Sequence, residues 1–311
     1  MGCYVGGVFA GVVGYADDLM ILAPNRRAAQ KMLDICESFA AKNNVIFSTH
    51  ANPTKSKSKA LFITGHKNSS EMVPAPLTLS EKEQLPWLDR CSHLGNTLTS
   101  DGQMSQDCKE KRASFIDGSV KIREMFNFAH PSEIITAIEK YCSSWYGSNV
   151  WRFESASVES ILASWRTCFK LTWNIPRSCH NYFVDYVLAV DSPPLLCSLL
   201  SRFHKFFLSL LESDSSQVSV IARLAARDIR SNLGSNLRLL KETSGLDPWC
   251  TGTVAMKERL AESCLREIPP EDLWRVPYLE KLLSARQWAH YNTEEDIEKE
   301  LSAIIDSLVT N

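Results

Sequence analysis

The sequence has no excess of positive charge. Its 34 Lys and Arg residues stand against 36 Asp and Glu residues, for a formal net charge of -2 at pH 7. Nucleic-acid binders commonly carry a strongly basic surface, so a nucleic-acid partner would have to be met by a local cluster of cations. No apolar run reaches the length of a membrane span, and we therefore expect no membrane partner.

Cysteine pairs with the spacing of zinc ligands are also missing. The ten cysteines are Cys3, Cys36, Cys91, Cys108, Cys142, Cys168, Cys179, Cys197, Cys250 and Cys264. No two of them are two to four residues apart, as the paired ligands of a zinc knuckle are. The apolar start of the chain has no basic leader of the secretory kind. We expect reduced, buried thiols in an intracellular protein of the cytoplasm or nucleus.

Two adjacent carboxylates, Asp17 and Asp18, lie between two apolar runs. The run from Val12 to Tyr15 and the run from Leu19 to Leu22 predict a buried β-hairpin with both acids at its tip. Two like charges inside an apolar environment need a cation nearby, and carboxylate oxygens are ligands that Mg²⁺ accepts. The pattern predicts a Mg²⁺ site, although a turn or a helix cap explains most bare Asp-Asp pairs.

With its flanks, the stretch Tyr15–Asp18 resembles the catalytic signature of reverse transcriptases, and residues 7–24 look like non-LTR (LINE-type) retrotransposon enzymes. The resemblance implies an RNA-directed DNA polymerase, whose partners are an RNA template, a DNA primer and deoxynucleoside triphosphates, with Mg²⁺ as cofactor. It also implies that Asp17 is a direct metal ligand and that Asp18 supports it. Tyr15 would pack under the primer end.

The family's first catalytic aspartate comes from a separate strand far upstream, whereas fourteen residues precede Tyr15 here. The resemblance therefore implies a truncated chain that lacks the fingers and that aspartate, and we expect it to be inactive alone. The alternative is a catalytically inactive remnant that acts at most as an RNA- or duplex-binding module or as a structural helical module.

Three lysines, Lys55, Lys57 and Lys59, lie in a stretch without acids that follows a helix predicted to begin after the cap Asn25. A solvated charge run explains such a stretch equally well. By resemblance, Lys57 approaches the triphosphate as a general acid to the leaving pyrophosphate. Lys55 and Lys59 are then further nucleic-acid contacts.

The segment Cys91–Leu98 is predicted to form short strands. Its His93, Leu94 and Gly95 resemble the primer grip of the family, a tight hairpin that contacts the primer backbone. Gly95 would let the main chain approach the phosphates closely. A lone histidine is more often structural than catalytic, so we assign His93 packing or a phosphate contact.

A second resemblance to LINE-type enzymes lies in residues 146–151 and 164–177. The tryptophans and Phe169 there are predicted to be core residues. Arg166, Lys170 and Arg177 are the candidates for contact with nucleic-acid phosphates.

The predicted fold class is α+β. Residues 1–100 would form the carboxyl-terminal half of a polymerase palm, residues 101–152 thumb-like helices, and residues 153–311 a helical extension. The predicted later helices are Met104–Phe128, Pro131–Trp145, Leu195–Glu212, Gln217–Leu240, Val254–Ile268, Leu273–His290 and Glu294–Leu308. The last of these is amphipathic, with Ile297, Leu301, Ile304 and Leu308 on one face.

Overall fold

The computed structural model describes residues 1–50, 55–64, 73–79, 83–185 and 194–264. The chain forms two compact units, Met1–Asp107 with Leu210–Asp228 and Cys108–Ser209 with Ile229–Asn311. Helices and a few short strands are both present, so the fold class is α+β as predicted. Within the described ranges, no helix has the length and apolar character needed to cross a membrane.

The strands of the first unit are short and pair two by two. They are β1 Tyr4–Val5, β2 Val8–Phe9, β3 Val12–Tyr15, β4 Asp18–Ile21, β5 Ala60–Leu61, β6 Leu77–Leu79, β7 Glu83–Leu85, β8 Trp87–Leu88, β9 Arg90–His93 and β10 Asn96–Thr99. The pairs β1 with β2, β3 with β4, β6 with β7 and β9 with β10 are antiparallel, and β5 with β8 is parallel.

Helix α1, Arg26–Lys42, carries the core of this unit. The predicted cap is confirmed, because the side chain of Asn25 accepts a hydrogen bond from the Ala28 amide. Leu33 packs with residues of β5, β6 and β7, and Ile21 of β4 packs against the same cluster. The side-chain amide of Gln30 donates to the Thr78 carbonyl and accepts from the Thr78 N–H. These two bonds pair backbone groups on the edge of β6 that β7 does not use.

The remaining helices begin with α2, Ser105–Met125. They continue with α3 Pro131–Tyr141, α4 Ala156–Thr172, α5 Leu195–Leu211, α6 Ser216–Arg227, α7 Asn232–Ser244 and α8 Thr253–Cys264. Helix α6 belongs to the first unit and contacts β2 there. In the second unit, the aromatic residues predicted for the core are buried; they include Trp151, Trp165, Phe169 and Trp173.

The single helix predicted over Gln217–Leu240 is wrong. The chain leaves the helical conformation at Asp228, and a new helix begins after Ser231, whose hydroxyl accepts from the Gly234 amide. A side-chain cap of this kind satisfies an otherwise unpaired N–H and favours a helix start, which apolar periodicity alone does not reveal.

Three predicted elements lie outside the described residues. They are the turn at Asn52–Pro53 and the helices Leu273–His290 and Glu294–Leu308. The first unit runs to Asp107 and includes Leu210–Asp228. The expectation of reduced thiols is confirmed for eight described cysteines, which are free, and is wrong for Cys197, which is disulfide-bonded.

Candidate functional site

The paired acids lie on a β-hairpin, as the sequence predicts. Strands β3 and β4 pair with Val12 opposite Ile21 and Tyr15 opposite Asp18. This register leaves Ala16 and Asp17 as the two turn residues. Ala16 has a φ of 52°, and a positive φ at the first turn position is the feature of a type II′ turn, where glycine is usual.

The prediction that this hairpin is buried is wrong. Every residue of β3 is exposed, Tyr15 at 66%, and Asp17, Asp18 and Leu19 are exposed on the other side of the turn. Apolar runs become buried only where other strands cover the faces of the hairpin, and among the described strands β3 and β4 pair only with each other.

The base of the hairpin is held by backbone hydrogen bonds. Leu22 N–H donates to the Gly11 carbonyl (2.7 Å), and Cys3 N–H donates to the Leu22 carbonyl (3.0 Å). Together with the packing of Ile21 on the core under α1, these bonds fix the end opposite to the acids. The tip itself extends away from this anchored end.

The oxygen ligands that the hairpin tip offers decide whether Mg²⁺ fits there. Magnesium ions in phosphate-transferring sites are held through one or two carboxylates plus substrate phosphates and waters, and Asp17 and Asp18 supply two carboxylates. No group of three or more His, Cys, Asp and Glu side chains that could hold a metal occurs in the described part of the chain. Because both acids are exposed, water alone can solvate their charge, and the burial argument for a cation no longer applies.

The lysine stretch is a loop with three exposed ammonium groups. Lys55, Lys57 and Lys59 are exposed, while Ser56 between them is buried and donates to the Ser58 carbonyl at 2.7 Å. The loop is therefore held by serines and presents its lysines to solvent. Such lysines are available to an anionic ligand.

Lys59 lies close enough to the second hairpin to affect a cysteine there. Burial raises the pKa of the Cys91 thiol in β9, and the Lys59 charge partly opposes that rise. The structure thus brings the lysine loop next to β9, as the parallel pairing of β5 with β8 and the contact of β5 with β9 require.

The predicted tight hairpin around Gly95 is confirmed. In β9 and β10, His93 pairs with Asn96 and leaves Leu94 and Gly95 as the turn. Both turn residues have positive φ, 45° for Leu94 and 74° for Gly95, which is the pattern of a type I′ turn. Leu94 has a side chain that this conformation disfavours, whereas glycine accepts it. His93 is half-buried.

A buried aspartate anchors this hairpin. Asp107, in the first turn of α2, accepts a hydrogen bond from the Thr97 amide at 2.9 Å. Asp107 is buried, and such a carboxylate requires hydrogen-bond partners. The sequence analysis did not single out Asp107, because an acid in the first turn of a helix is common.

The segment of the second resemblance is folded against α7. Gly147 has a φ of 77° and precedes a short 3-10 helix, Ser148–Val150, after which Trp151 is fully buried. Asn236 of α7 donates to the Trp151 carbonyl (2.7 Å) and accepts from the Phe153 amide (3.0 Å). One buried side-chain amide therefore fixes the path of the chain after the tryptophan.

Glu154 forms further hydrogen bonds between this segment and α7. It accepts from the Ser235 hydroxyl at 2.6 Å and from the Arg238 guanidinium at 2.8 and 2.9 Å. The hydrogen bond from Ser235 lowers the pKa of Glu154, and Arg238 lowers it further against the opposing effect of burial. Sequence reasoning did not find these partners, since they lie about eighty residues apart in the chain.

Arg166 is already paired within the protein. Its guanidinium donates to both carboxylate oxygens of Asp185 at 2.8 to 3.1 Å and to Glu159 at 3.3 Å. Burial lowers the pKa of Arg166, but the hydrogen bonds and charge of Asp185 outweigh this effect and raise it overall. A phosphate at Arg166 would have to compete with Asp185.

Lys170 is buried, with 5% of its surface exposed. Its ammonium group donates to the carbonyl oxygens of Arg177 (3.3 Å) and Cys179 and to the Asn181 side-chain oxygen (3.1 Å). Burial lowers the pKa of Lys170. The loop after α4 thus solvates this charge with carbonyls, and of the three proposed phosphate contacts only Arg177 has an exposed side chain.

The candidate residues form four groups. Tyr15, Asp17 and Asp18 share one hairpin tip, and residues 93–95 share another, both in the first unit together with the lysine loop. Residues 166–177 belong to the second unit. Comparison with models of known protein families, with curated proteins and with solved structures finds no match.

Proposed function

We propose that this chain is part of an RNA-directed DNA polymerase of the non-LTR retrotransposon type, with Asp17 and Asp18 as ligands of Mg²⁺. The observation that carries the proposal is the β3–β4 hairpin. Its two-residue turn leaves Asp17 at the tip and makes Asp18 the first residue of the return strand. The turn, with its positive φ at Ala16, distinguishes this arrangement from an ordinary Asp-Asp pair at a helix cap.

The order of the elements gives further support. After this hairpin come α1, the loop with Lys57, the β9–β10 hairpin, and the helices α2 and α3. In the resembled family a palm presents the same succession of catalytic hairpin, helix, lysine loop and primer grip, and a thumb follows. We assign residues 1–100 to a partial palm and the two helices to a thumb on this basis.

Bound Mg²⁺ would make the primer 3′-hydroxyl more acidic and would hold the triphosphate. The chain's own residues have distinct tasks in this proposal. Asp17 and Asp18 hold the cation, and the exposed Lys57 donates a proton to the leaving pyrophosphate. Gly95, at the tip of the second hairpin, lets the backbone approach the primer. The partners are the template, the primer and deoxynucleoside triphosphates.

Primer extension on a homopolymer RNA template tests the proposal. Polymerase activity retained by this chain would give Mg²⁺-dependent incorporation that Asp17→Asn reduces to background, whereas the inactive chain expected from the missing aspartate gives no incorporation. The matched control is Asp34→Asn, which neutralises an exposed acid on α1 and should leave incorporation unchanged. Equal loss in both variants, or incorporation that persists in Asp17→Asn, would refute the assignment of Asp17.

A second candidate function is a catalytically inactive module that binds RNA or an RNA:DNA duplex. The exposure of β3 and β4 favours it, because an active polymerase site needs strands that cover this hairpin and bring a further carboxylate. RNA binding with a steep salt dependence, together with no incorporation under any Mg²⁺ concentration, would support the second function over the first. A chain that shows neither RNA binding nor incorporation would have neither of the two proposed functions.

A further inference from the structure

A groove of about 510 Å³ lies between α5 and α8 in the second unit. Its lining combines cations with an apolar surface. The residues that matter for its chemistry are Arg202 and Lys205 of α5 and Val254, Lys257, Glu258 and Ala261 of α8. Three bases thus face one acid, and the groove carries a positive charge although the whole chain is slightly negative.

Two of these cations have no ionic partner in the described part of the chain. Lys205 and Lys257 are exposed, and neither forms an ion pair or a hydrogen bond with any residue that the structure describes. Arg202 makes one long hydrogen bond, to the Trp145 carbonyl at 3.5 Å. Val254, on the same face of α8, is 70% exposed. An occupant must therefore provide carboxylates for the lysines and apolar side chains for Val254.

The chain itself contains a segment with this chemistry. Residues 294–308 hold six acids and one lysine, and Ile297, Leu301, Ile304 and Leu308 recur at helical spacing. Acids and apolar residues in one amphipathic helix match a groove between two helices that has cationic walls and an apolar surface. A nucleic acid would use the cations but would leave Val254 and Ala261 without a partner, since none of the described residues that line the groove has an aromatic ring for a base.

The length of the chain permits this docking. Helix α8 ends at Cys264, and twenty-nine residues lie between it and Glu294. The helix predicted over Leu273–His290 would span about 27 Å and the other eleven residues reach about 36 Å when extended, whereas α8 with its twelve residues is about 18 Å long. The tether therefore reaches any point of the groove.

We infer that the groove between α5 and α8 is the docking site for the acidic segment 294–308 of the same chain. The carboxylates near its beginning, Glu294 to Glu300, pair with Lys205 and Lys257. Its apolar face covers Val254 and Ala261. This inference does not depend on the polymerase proposal, since it uses the charges of the second unit alone.

Zero-length carbodiimide cross-linking of the full chain tests the inference. This reagent joins a lysine to a carboxylate that it touches, and peptide mass spectrometry identifies the pair. We expect Lys205 and Lys257 to be joined to acids within residues 294–300. An equal mixture of ¹⁵N-labelled and unlabelled chains should give cross-linked pairs of a single isotope, and mixed pairs would instead assign the segment to a second copy and overturn the inference.

A charge reversal provides the second measurement. In Lys205→Glu, the cross-link at Lys257 should fall at least about fivefold and amide hydrogen exchange of residues 294–308 should become faster, because an opposed charge replaces an attractive one. Lys241→Glu, an exposed lysine of α7 outside the groove, is the matched control and should change neither readout. Cross-links from residues 294–300 to lysines elsewhere, or exchange rates that Lys205→Glu leaves unchanged, would refute the inference.

Discussion

Tyr15 and Asp18 are directly opposite each other at the end of the β3–β4 ladder. Asp17 therefore lies in the turn, and the two acids differ in their backbone surroundings although they are adjacent in sequence. Asp18 takes part in strand pairing through its main chain, whereas Asp17 does not. This asymmetry agrees with the unequal roles that the resemblance implies, a direct ligand and its support.

We predict that the exposed acids contribute nothing to folding. Asp17→Asn and Asp18→Asn should leave the urea midpoint of unfolding unchanged, because both side chains are solvated. Binding of Mn²⁺ in place of Mg²⁺, measured by water-proton relaxation, should weaken in both and more in Asp17→Asn. Equal Mn²⁺ affinity in wild type and both variants would exclude a metal site at the tip.

The turn residue Ala16 is strained by its φ of 52°. We expect Ala16→Gly to stabilise the protein by up to about 1 kcal/mol, since relief of a left-handed conformation exceeds the entropy cost of glycine. The control is Ala41→Gly, at an exposed position of α1, which should destabilise the protein by about 1 kcal/mol. Urea unfolding measures both. The same sign for both substitutions would show that Ala16 carries no strain.

The Arg166–Asp185 pair is largely removed from solvent, with 18% and 13% of the side chains exposed. Arg166→Ala should lower the free energy of unfolding by about 3–5 kcal/mol, because it leaves the Asp185 carboxylate without its partner. The double variant Arg166→Met with Asp185→Leu should be less affected, since it buries no charge.

The exposed pair of Lys121 and Asp117 is the matched control for this prediction. Lys121→Ala should leave the unfolding midpoint nearly unchanged, because solvent screens an exposed ion pair. A loss in Arg166→Ala as small as the loss in Lys121→Ala would show that Asp185 finds water or another donor.

Asn236 holds two backbone groups of the segment after Trp151. Asn236→Leu removes the hydrogen bonds to the Trp151 carbonyl and the Phe153 amide and should cost about 2–5 kcal/mol. The control Asn232→Leu removes one partly exposed bond to the Val150 carbonyl and should cost less than about 1.5 kcal/mol. Urea unfolding followed by tryptophan fluorescence gives both values, and equal costs would contradict the role of Asn236.

His204 should make stability depend on pH. It is fully buried and donates to the Pro248 carbonyl at 3.1 Å, and burial lowers its pKa. The unfolded chain then binds a proton near pH 6.5 while the native chain does not, so stability rises with pH up to that value and is constant above it. Below it, stability should fall by at most about 1.4 kcal/mol per pH unit.

His204→Gln, which keeps a donor but does not titrate, should remove this contribution. The difference in unfolding free energy between wild type and variant, measured from pH 5 to 8, isolates it. His180→Gln, at an exposed position, should retain the wild-type slope. A slope that persists in His204→Gln would assign the pH dependence to other groups.

The local features of the first unit followed from the sequence. The Asn25 cap, the β3–β4 hairpin and the turn at Leu94 and Gly95 were predicted because each depends on residues within a few positions of one another. The core positions of the tryptophans were predicted for a similar reason, since large apolar side chains at helical spacing are seldom exposed. The end of a helix at Asp228 was missed because a serine cap competes with apolar periodicity.

The surroundings of charged groups were decided by tertiary structure. By itself, the sequence determined that Asp17 and Asp18 are on a hairpin and that Lys170 belongs to a largely helical part of the chain. Only the folded chain decided that the acids are open to water while Lys170 is enclosed by carbonyls of the following loop. The physical reason is that solvation depends on what packs around a side chain, and those contacts come from residues that local periodicity does not connect.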